Sequence, residues 1–206
     1  MTTFSAPDIV IGRLPLYLRA LSEMQSRGVE ITSSQDLGNR LGISSAQIRK
    51  DLSQFGEFGK QGTGYSVDYL ADQLKRILNV NQIWDVVLVG AGDLGTAVAN
   101  YGGFVNRGFR VAAVYDSAPQ KIGQQVGEFT IRSVMQLKED IENEGYRIAM
   151  LAVPASSAQK VSEQLVEAGI QAILCYAPTS LSLPESIRVQ HIDPVLHLQR
   201  MTYYLP

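Results

Sequence analysis

Residues 85–95 constrain the fold of this chain more than any other segment. The run Val86-Val87-Leu88-Val89 is continuously apolar, as in a parallel strand buried on both faces, and it passes directly into Gly90-Ala91-Gly92-Asp93-Leu94-Gly95. A helical stretch over residues 96–101 follows, then a second apolar strand over residues 110–115, closed by Asp116 21 positions after Gly95. Strand, G-x-G-x-x-G, helix, strand and acid in that order predict a dinucleotide-binding crossover. In such a unit Gly90 makes the tight turn, Gly92 lets backbone N–H groups approach a pyrophosphate, and Gly95 lets helix and strand pack closely. The phosphates then sit at a helix N-terminus, where unsatisfied N–H groups favour anions. Asp116 is expected to accept hydrogen bonds from the adenosine ribose and to repel a 2′-phosphate, which predicts NAD(H) over NADP(H). A flavin or S-adenosylmethionine site on a similar fold, or a glycine-rich turn with no ligand, are the alternatives.

Further strands over residues 148–153 and 172–176, with helices over residues 134–144 and 158–168, extend the alternation into a right-handed parallel α/β sheet. Hydride transfer needs an acid/base group beside the nicotinamide. The only histidines, His191 and His197, lie near the C-terminus, and no Tyr-x-x-x-Lys pair follows the glycine motif. No catalytic residue is therefore assigned, and binding without turnover is the preferred reading. The alternative is a small NAD-dependent oxidoreductase with an accessory N-terminal domain; a scaffold that binds nothing is a third.

Residues 1–80 follow a different pattern. Residues 1–8 read as a disordered arm, and from Ile9 to Met24 the recurrence of Leu14, Leu18, Leu21 and Met24 at helical spacing predicts one amphipathic helix, ended by Arg27-Gly28. Ser33 or Ser34 caps a second helix, and Gly42-Ile43-Ser44 separates it from a third that begins at Ser45. Two short helices joined by such a turn form a helix-turn-helix, with Leu37, Leu41, Ile48 and Leu52 as shared core. Gly56, Gly59, Gly62 and Gly64 surround Lys60 in what reads as a wing, and residues 67–78 return to helical spacing. Arg49 and Lys50 lie where a recognition helix meets the major groove, with Ser45, Gln47 and Ser53 as further contacts and Lys60 reaching phosphate or minor groove. The bland alternative is a solvated helix face.

Charge adds little to that case. The chain carries 18 Lys/Arg against 20 Asp/Glu, a net charge of −2, so contact with DNA must come from a local cluster. The single cysteine, Cys175, excludes an intrachain disulfide and a cysteine-based metal site, and no metal is expected. No signal peptide and no apolar run near ~20 residues is present, which predicts a cytoplasmic protein with no membrane partner.

Taken together, Leu16-Tyr17-Leu18-Arg19, Arg49-Lys50-Asp51-Leu52-Ser53, Gly62-Thr63-Gly64-Tyr65, Val89-Gly90-Ala91-Gly92-Asp93-Leu94-Gly95, Ala152-Val153-Pro154, Tyr176-Ala177-Pro178 and Ile192-Asp193 resemble the Rex family of redox-sensing repressors. The resemblance implies an N-terminal winged helix-turn-helix (residues 1–80), a Rossmann NAD(H)-binding domain (81–193) and an exchanged C-terminal helix (194–206). It implies a homodimer on palindromic double-stranded operator DNA, with NADH as effector and NAD⁺ competing. Cofactor contacts fall on Gly90, Ala91, Gly92, Asp93, Leu94, Gly95, Asp116, Val153, Pro154, Ala177 and Pro178, with Tyr101 and Phe104 near the nicotinamide. The implied switch is Arg19 pairing with Asp193 of the partner subunit in one state, and that aspartate turning to Tyr101 in the NADH state. Asp193 before Pro194 also reads as a helix cap. Residues 195–205 allow only about three turns of exchanged helix.

Overall fold

The computed structural model describes residues 6–59 and 63–205. It divides into two compact units, Met1–Gln82 and Ile83–Pro206.

In the first unit, the single helix predicted from residue 9 to 24 is two: α1 (Asp8–Ile11) and α2 (Leu14–Ser26). Pro15 near the start of α2 lacks the N–H that would bond back to Ile11, and its ring crowds the preceding turn, so the helix restarts. A short strand β1 (Ile31–Thr32) leads to α3 (Ser34–Leu41). Ser33 caps α3 in a reciprocal box: Asp36 N–H donates to Ser33 Oγ (3.0 Å) and Ser33 N–H to Asp36 Oδ2 (3.1 Å). Gly42 takes the left-handed conformation after α3 (φ 67°), and Ser44 caps α4 (Ser45–Leu52) by accepting from Gln47 N–H. Strand β2 (Tyr65–Ser66) pairs antiparallel with β1, Thr32 opposite Tyr65, and Ser66 caps α5 (Val67–Ile77). The core holds Leu14, Tyr17, Leu21, Met24, Leu37, Ile48, Leu52, Leu70 and Leu74; Leu41 is packed at its margin. Lys60 and Gly62, at the predicted wing tip, lie outside the described residues, as does most of the predicted N-terminal arm.

The second unit contains β3 (Trp84–Val89), α6 (Asp93–Ala99), β4 (Phe109–Asp116), a hairpin of β5 (Gln125–Val126) and β6 (Phe129–Thr130), and β7 (Arg132–Ser133). Then come α7 (Leu137–Glu144), β8 (Ile148–Leu151), α8 (Ala155–Glu167), β9 (Ala172–Cys175), β10 (Arg188–His191) and α9 (Pro194–Thr202). The main sheet runs β7-β4-β3-β8-β9-β10, and every pair is parallel. Counted from β3, that is the 3-2-1-4-5-6 order of a doubly wound sheet, whose order reverses between β3 and β8. Successive residues of β3 enter opposite cores: Val87 and Val89 join Leu151, Leu165 and Ile173, whereas Val86 and Leu88 join Val98, Val114 and Met150. Burial on both faces is why β3 reads as an unbroken apolar run. The helix predicted from residue 134 starts with a 3₁₀ turn (Val134–Gln136) before α7.

Candidate nucleotide-binding and DNA-binding sites

The glycine loop leaves the carboxyl end of β3 at the point where the strand order reverses. Gly90 is buried at φ 102°, a conformation open essentially to glycine alone, and a Cβ there would overlap the Ala152 carbonyl oxygen at the end of β8. A Cβ at Gly95 would overlap the Gly90 carbonyl oxygen, so the start of α6 lies flush against the turn only without a side chain. Gly92 differs: nothing lies within 4 Å of its missing Cβ. No protein packing requires a glycine there, and the lack of a side chain leaves the loop backbone open to close approach by a ligand. The residues present therefore fit a nucleotide diphosphate.

The register of the strands carries Val153 and Pro154 after β8, and Ala177 and Pro178 after β9, to the same edge, because Val89 lies opposite Leu151 and Leu151 opposite Cys175. Ala177 is buried and Pro154 and Pro178 are exposed. Asp93 and Leu94 are exposed on the first turn of α6.

Asp116 is present at this edge but faces inward. Ala91 N–H donates to Oδ2 (2.8 Å) and Ala118 N–H to Oδ1 (2.8 Å). The Lys121 ammonium lies 3.4 Å from Oδ2 and donates to the Ala91 carbonyl (3.1 Å). Burial would raise the Asp116 pKa, but the two backbone donors and the lysine charge outweigh it and hold the carboxyl below its usual range. Lys121 was not singled out in the sequence; the signal is a lysine five residues past the acid, close enough to fold back over it.

Tyr101 and Phe104 follow the far end of α6. Their rings meet edge to face at 5.0 Å and border a recess of about 220 Å³ with Asn100, Arg110, Glu128 and Phe129. Arg110 belongs to the amino end of β4, so within one chain this pair and the glycine loop occupy opposite ends of α6. Asp193 caps α9, accepting from Val195 N–H (2.9 Å), and Arg19 is exposed on α2.

On α4, Arg49 and Lys50 point outward, with Ser53 exposed just beyond the helix. Arg49 Nη1 donates to Ser34 Oγ (3.0 Å), which leans the guanidinium end of its side chain on the start of α3. Ser45 is half-buried, and Gln47 donates its amide to Asp51 Oδ1 (2.7 Å) rather than standing free. Asp51, on the opposite face, is a second residue whose role sequence reasoning missed. Its carboxylate is fully buried and accepts from Arg13 Nε (2.6 Å), Arg13 Nη2 (2.8 Å) and the Tyr17 hydroxyl (2.6 Å). Burial alone would raise its pKa; the hydrogen bonds from Arg13, Tyr17 and Gln47 prevail and hold it low. The visible signal was spacing: Asp51 falls on the same helix stripe as buried Ile48, and Arg13 and Tyr17 are one turn apart.

Two family models match the chain: "Putative DNA-binding protein N-terminus" over residues 6–53 and "CoA binding domain" over residues 81–179. The redox-sensing transcriptional repressor Rex of Chloroflexus aggregans is 51% identical over 199 residues, covering 97% of this chain and 94% of that protein. The chain belongs to the Rex family of redox-sensing transcriptional repressors. The Rex of Streptomyces coelicolor is 43% identical over 198 residues, covering 96% of this chain and 77% of that one. Among solved structures, the Rex-family repressor RSP in complex with β-NAD⁺ and operator DNA matches with a TM-score of 0.92 at 33% identity, over 98% of this chain and 93% of that one. RSP in complex with β-NADH matches with a TM-score of 0.89 at 32% identity, over 97% and 94%. The Rex relatives are named repressors, not enzymes, and the oxidoreductase alternative is set aside on that ground.

Proposed function

We propose that this chain represses transcription by binding palindromic operator DNA through α4 and the wing, and that NADH bound at the glycine loop releases it. The observation that carries this reading is one chain joining a helix-turn-helix to a dinucleotide loop at the strand-order reversal, with a fold matching that of a repressor solved with β-NAD⁺ and operator DNA. Gly90, Gly92 and Gly95 shape the cradle for the diphosphate, and the segments at Val153-Pro154 and Ala177-Pro178 border the edge toward the nicotinamide. When bound, the nicotinamide supplies the redox signal, since the oxidised ring carries one more positive charge than the reduced one. Apolar and aromatic side chains disfavour the charged ring by desolvation, so the reduced form is the better effector. DNA contact falls on Arg49 and Lys50, with Ser45, Gln47, Ser53 and Lys60 positioning the backbone.

The working unit is a homodimer in the cytoplasm. Its support is α9, where Val195, Leu196, Leu198 and Met201 are all more than half exposed and call for an apolar partner. Exchange of that helix would carry Asp193 to Arg19 of the other subunit, with Tyr101 as its alternative partner beside the nicotinamide. Because coupling between sites is reciprocal, operator DNA must weaken NADH binding by the factor with which NADH weakens operator binding. An electrophoretic shift on a palindromic duplex, titrated with NADH and with NAD⁺, tests this. NADH should release the duplex at concentrations where NAD⁺ does not; equal release by both would refute the sensor reading.

A further inference from the structure

A β4 acid in a dinucleotide fold is ordinarily assigned to the ribose hydroxyls, and the sequence alone predicts that role for Asp116. The hydrogen bonds around it point elsewhere. An ionised carboxylate offers about four acceptor positions. At Asp116 one holds Ala91 N–H, one holds Ala118 N–H, and the Lys121 ammonium lies against a third, while the residue is 8% exposed. What Asp116 does visibly is fasten the glycine loop to the turn after β4. The polar group presented at that edge is Lys121 instead, with its side chain 35% exposed and one donor to spare beyond Ala91 and Asp116.

We propose that Lys121 is the residue that contacts the adenosine ribose and sets the preference between NADH and NADPH, and that Asp116 is a positioning residue acting through the loop. The inference rests on the nucleotide reading above and changes its consequence. A cation at the ribose hydroxyls attracts a 2′-phosphate, so the preference for NADH is narrower than an acid facing the ribose would make it. Neutralising the lysine should widen it.

The experiment measures binding of NADH, NADPH and 2′-deoxy-NADH (lacking the adenosine 2′-hydroxyl) to the intact protein and to Lys121→Met and Asp116→Asn. It also measures thermal unfolding of each without nucleotide. Methionine keeps most of the stem of Lys121 and removes its charge. Lys121→Met should weaken NADPH about tenfold more than NADH, the scale of one charge contact at a partly exposed site. Removing the 2′-hydroxyl should weaken binding to the intact protein and to Asp116→Asn, and make no difference in Lys121→Met. Asp116→Asn should lower the unfolding temperature in the absence of nucleotide, whereas Lys121→Met should leave it near that of the intact protein. If the effect of the 2′-hydroxyl vanishes in Asp116→Asn and persists in Lys121→Met, the acid reads the ribose and the proposal is overturned. Equal weakening of NADH and NADPH by Lys121→Met overturns it too. Failure of the intact protein to bind NADH at all would remove the nucleotide reading and this inference together, and is distinguishable from the other results.

Discussion

Replacing Asp51 with alanine should do more damage than any other single charge removal in the N-terminal unit, although the residue cannot touch DNA. Its carboxylate sits in the core of the helix-turn-helix and accepts from Arg13 at two positions, from Tyr17 and from Gln47. Tyr17 is itself fully buried, so its hydroxyl would lose its acceptor where no water replaces it, at a cost of about 1–3 kcal/mol. The Arg13 side chain is 20% exposed and can turn partly to solvent, so loss of its bidentate pair adds on the order of 1–2 kcal/mol rather than the full penalty of a stranded buried charge. The sum, about 3 kcal/mol, compares with roughly 4–12 kcal/mol of total stability for a unit of this size. At ~4–8 °C per kcal/mol the N-terminal transition should fall by about 12–24 °C. Circular dichroism melts of the full chain, with operator affinity measured in parallel, provide the assay. Because α4 is anchored to α2 through this group, operator binding should weaken even well below the melting temperature. Replacing both partners, Asp51→Leu with Arg13→Met, should cost less than Asp51→Leu alone, since no charge is left without its counterpart. A shift under about 4 °C with normal operator binding would refute the reasoning. The pH dependence follows with a definite sign. The folded pKa is depressed, so the contribution is complete above the unfolded carboxylate value near ~3.9 and is lost as pH falls through the lower folded value. Acid unfolding of this unit below about pH 4 should therefore lose a component in Asp51→Asn.

Two further outcomes are expected. Gly90→Ala forces a Cβ into the Ala152 carbonyl at a positive φ and should abolish NADH binding in a fluorescence titration, while the protein still shifts operator DNA and no longer responds to NADH. Lys50→Ala should weaken specific and nonspecific duplexes alike and reduce the slope of log affinity against log salt by about 1 if the lysine contacts phosphate; an unchanged slope in a salt series would remove it from the backbone contacts.

What was legible in the sequence follows from which residues act locally. The glycine loop, its flanking strands and a cap at Ser33 or Ser34 are read from neighbours in the chain; the structure keeps the loop and the strands and decides the cap for Ser33. The break between α1 and α2 was legible too, in Pro15, but the apolar spacing across it masked the effect of a missing N–H. Strand β10 was not, because its edge position leaves it mostly exposed and Arg188-Val189-Gln190-His191 carries no apolar run. Lys121 and Asp51 escaped for a different reason. Asp51 pairs with Arg13, 38 residues away; Lys121 lies only five residues past Asp116 but also reaches Ala91, 30 residues away, and nothing in a linear pattern states that a charge points inward.

That last point resolves the tension between a nearly neutral chain and a DNA-binding role. Residues 1–80 carry nine Lys/Arg and eight Asp/Glu, which by count alone leaves no basic patch. Counting treats every charge as visible to a phosphate, and burial removes some of them from view. Helix α4 contains Arg49, Lys50 and Asp51; the acid is fully buried and neutralised by Arg13, so the face turned to solvent carries both positive charges and no negative one. The electrostatic footprint that matters over a few ångströms is set by which partner each acid already has, and a Debye length of ~8 Å at physiological salt makes the remainder of the count nearly irrelevant. An acid in α4, which looks like a liability for binding a polyanion, is thus what anchors the helix that carries the two basic residues beside it.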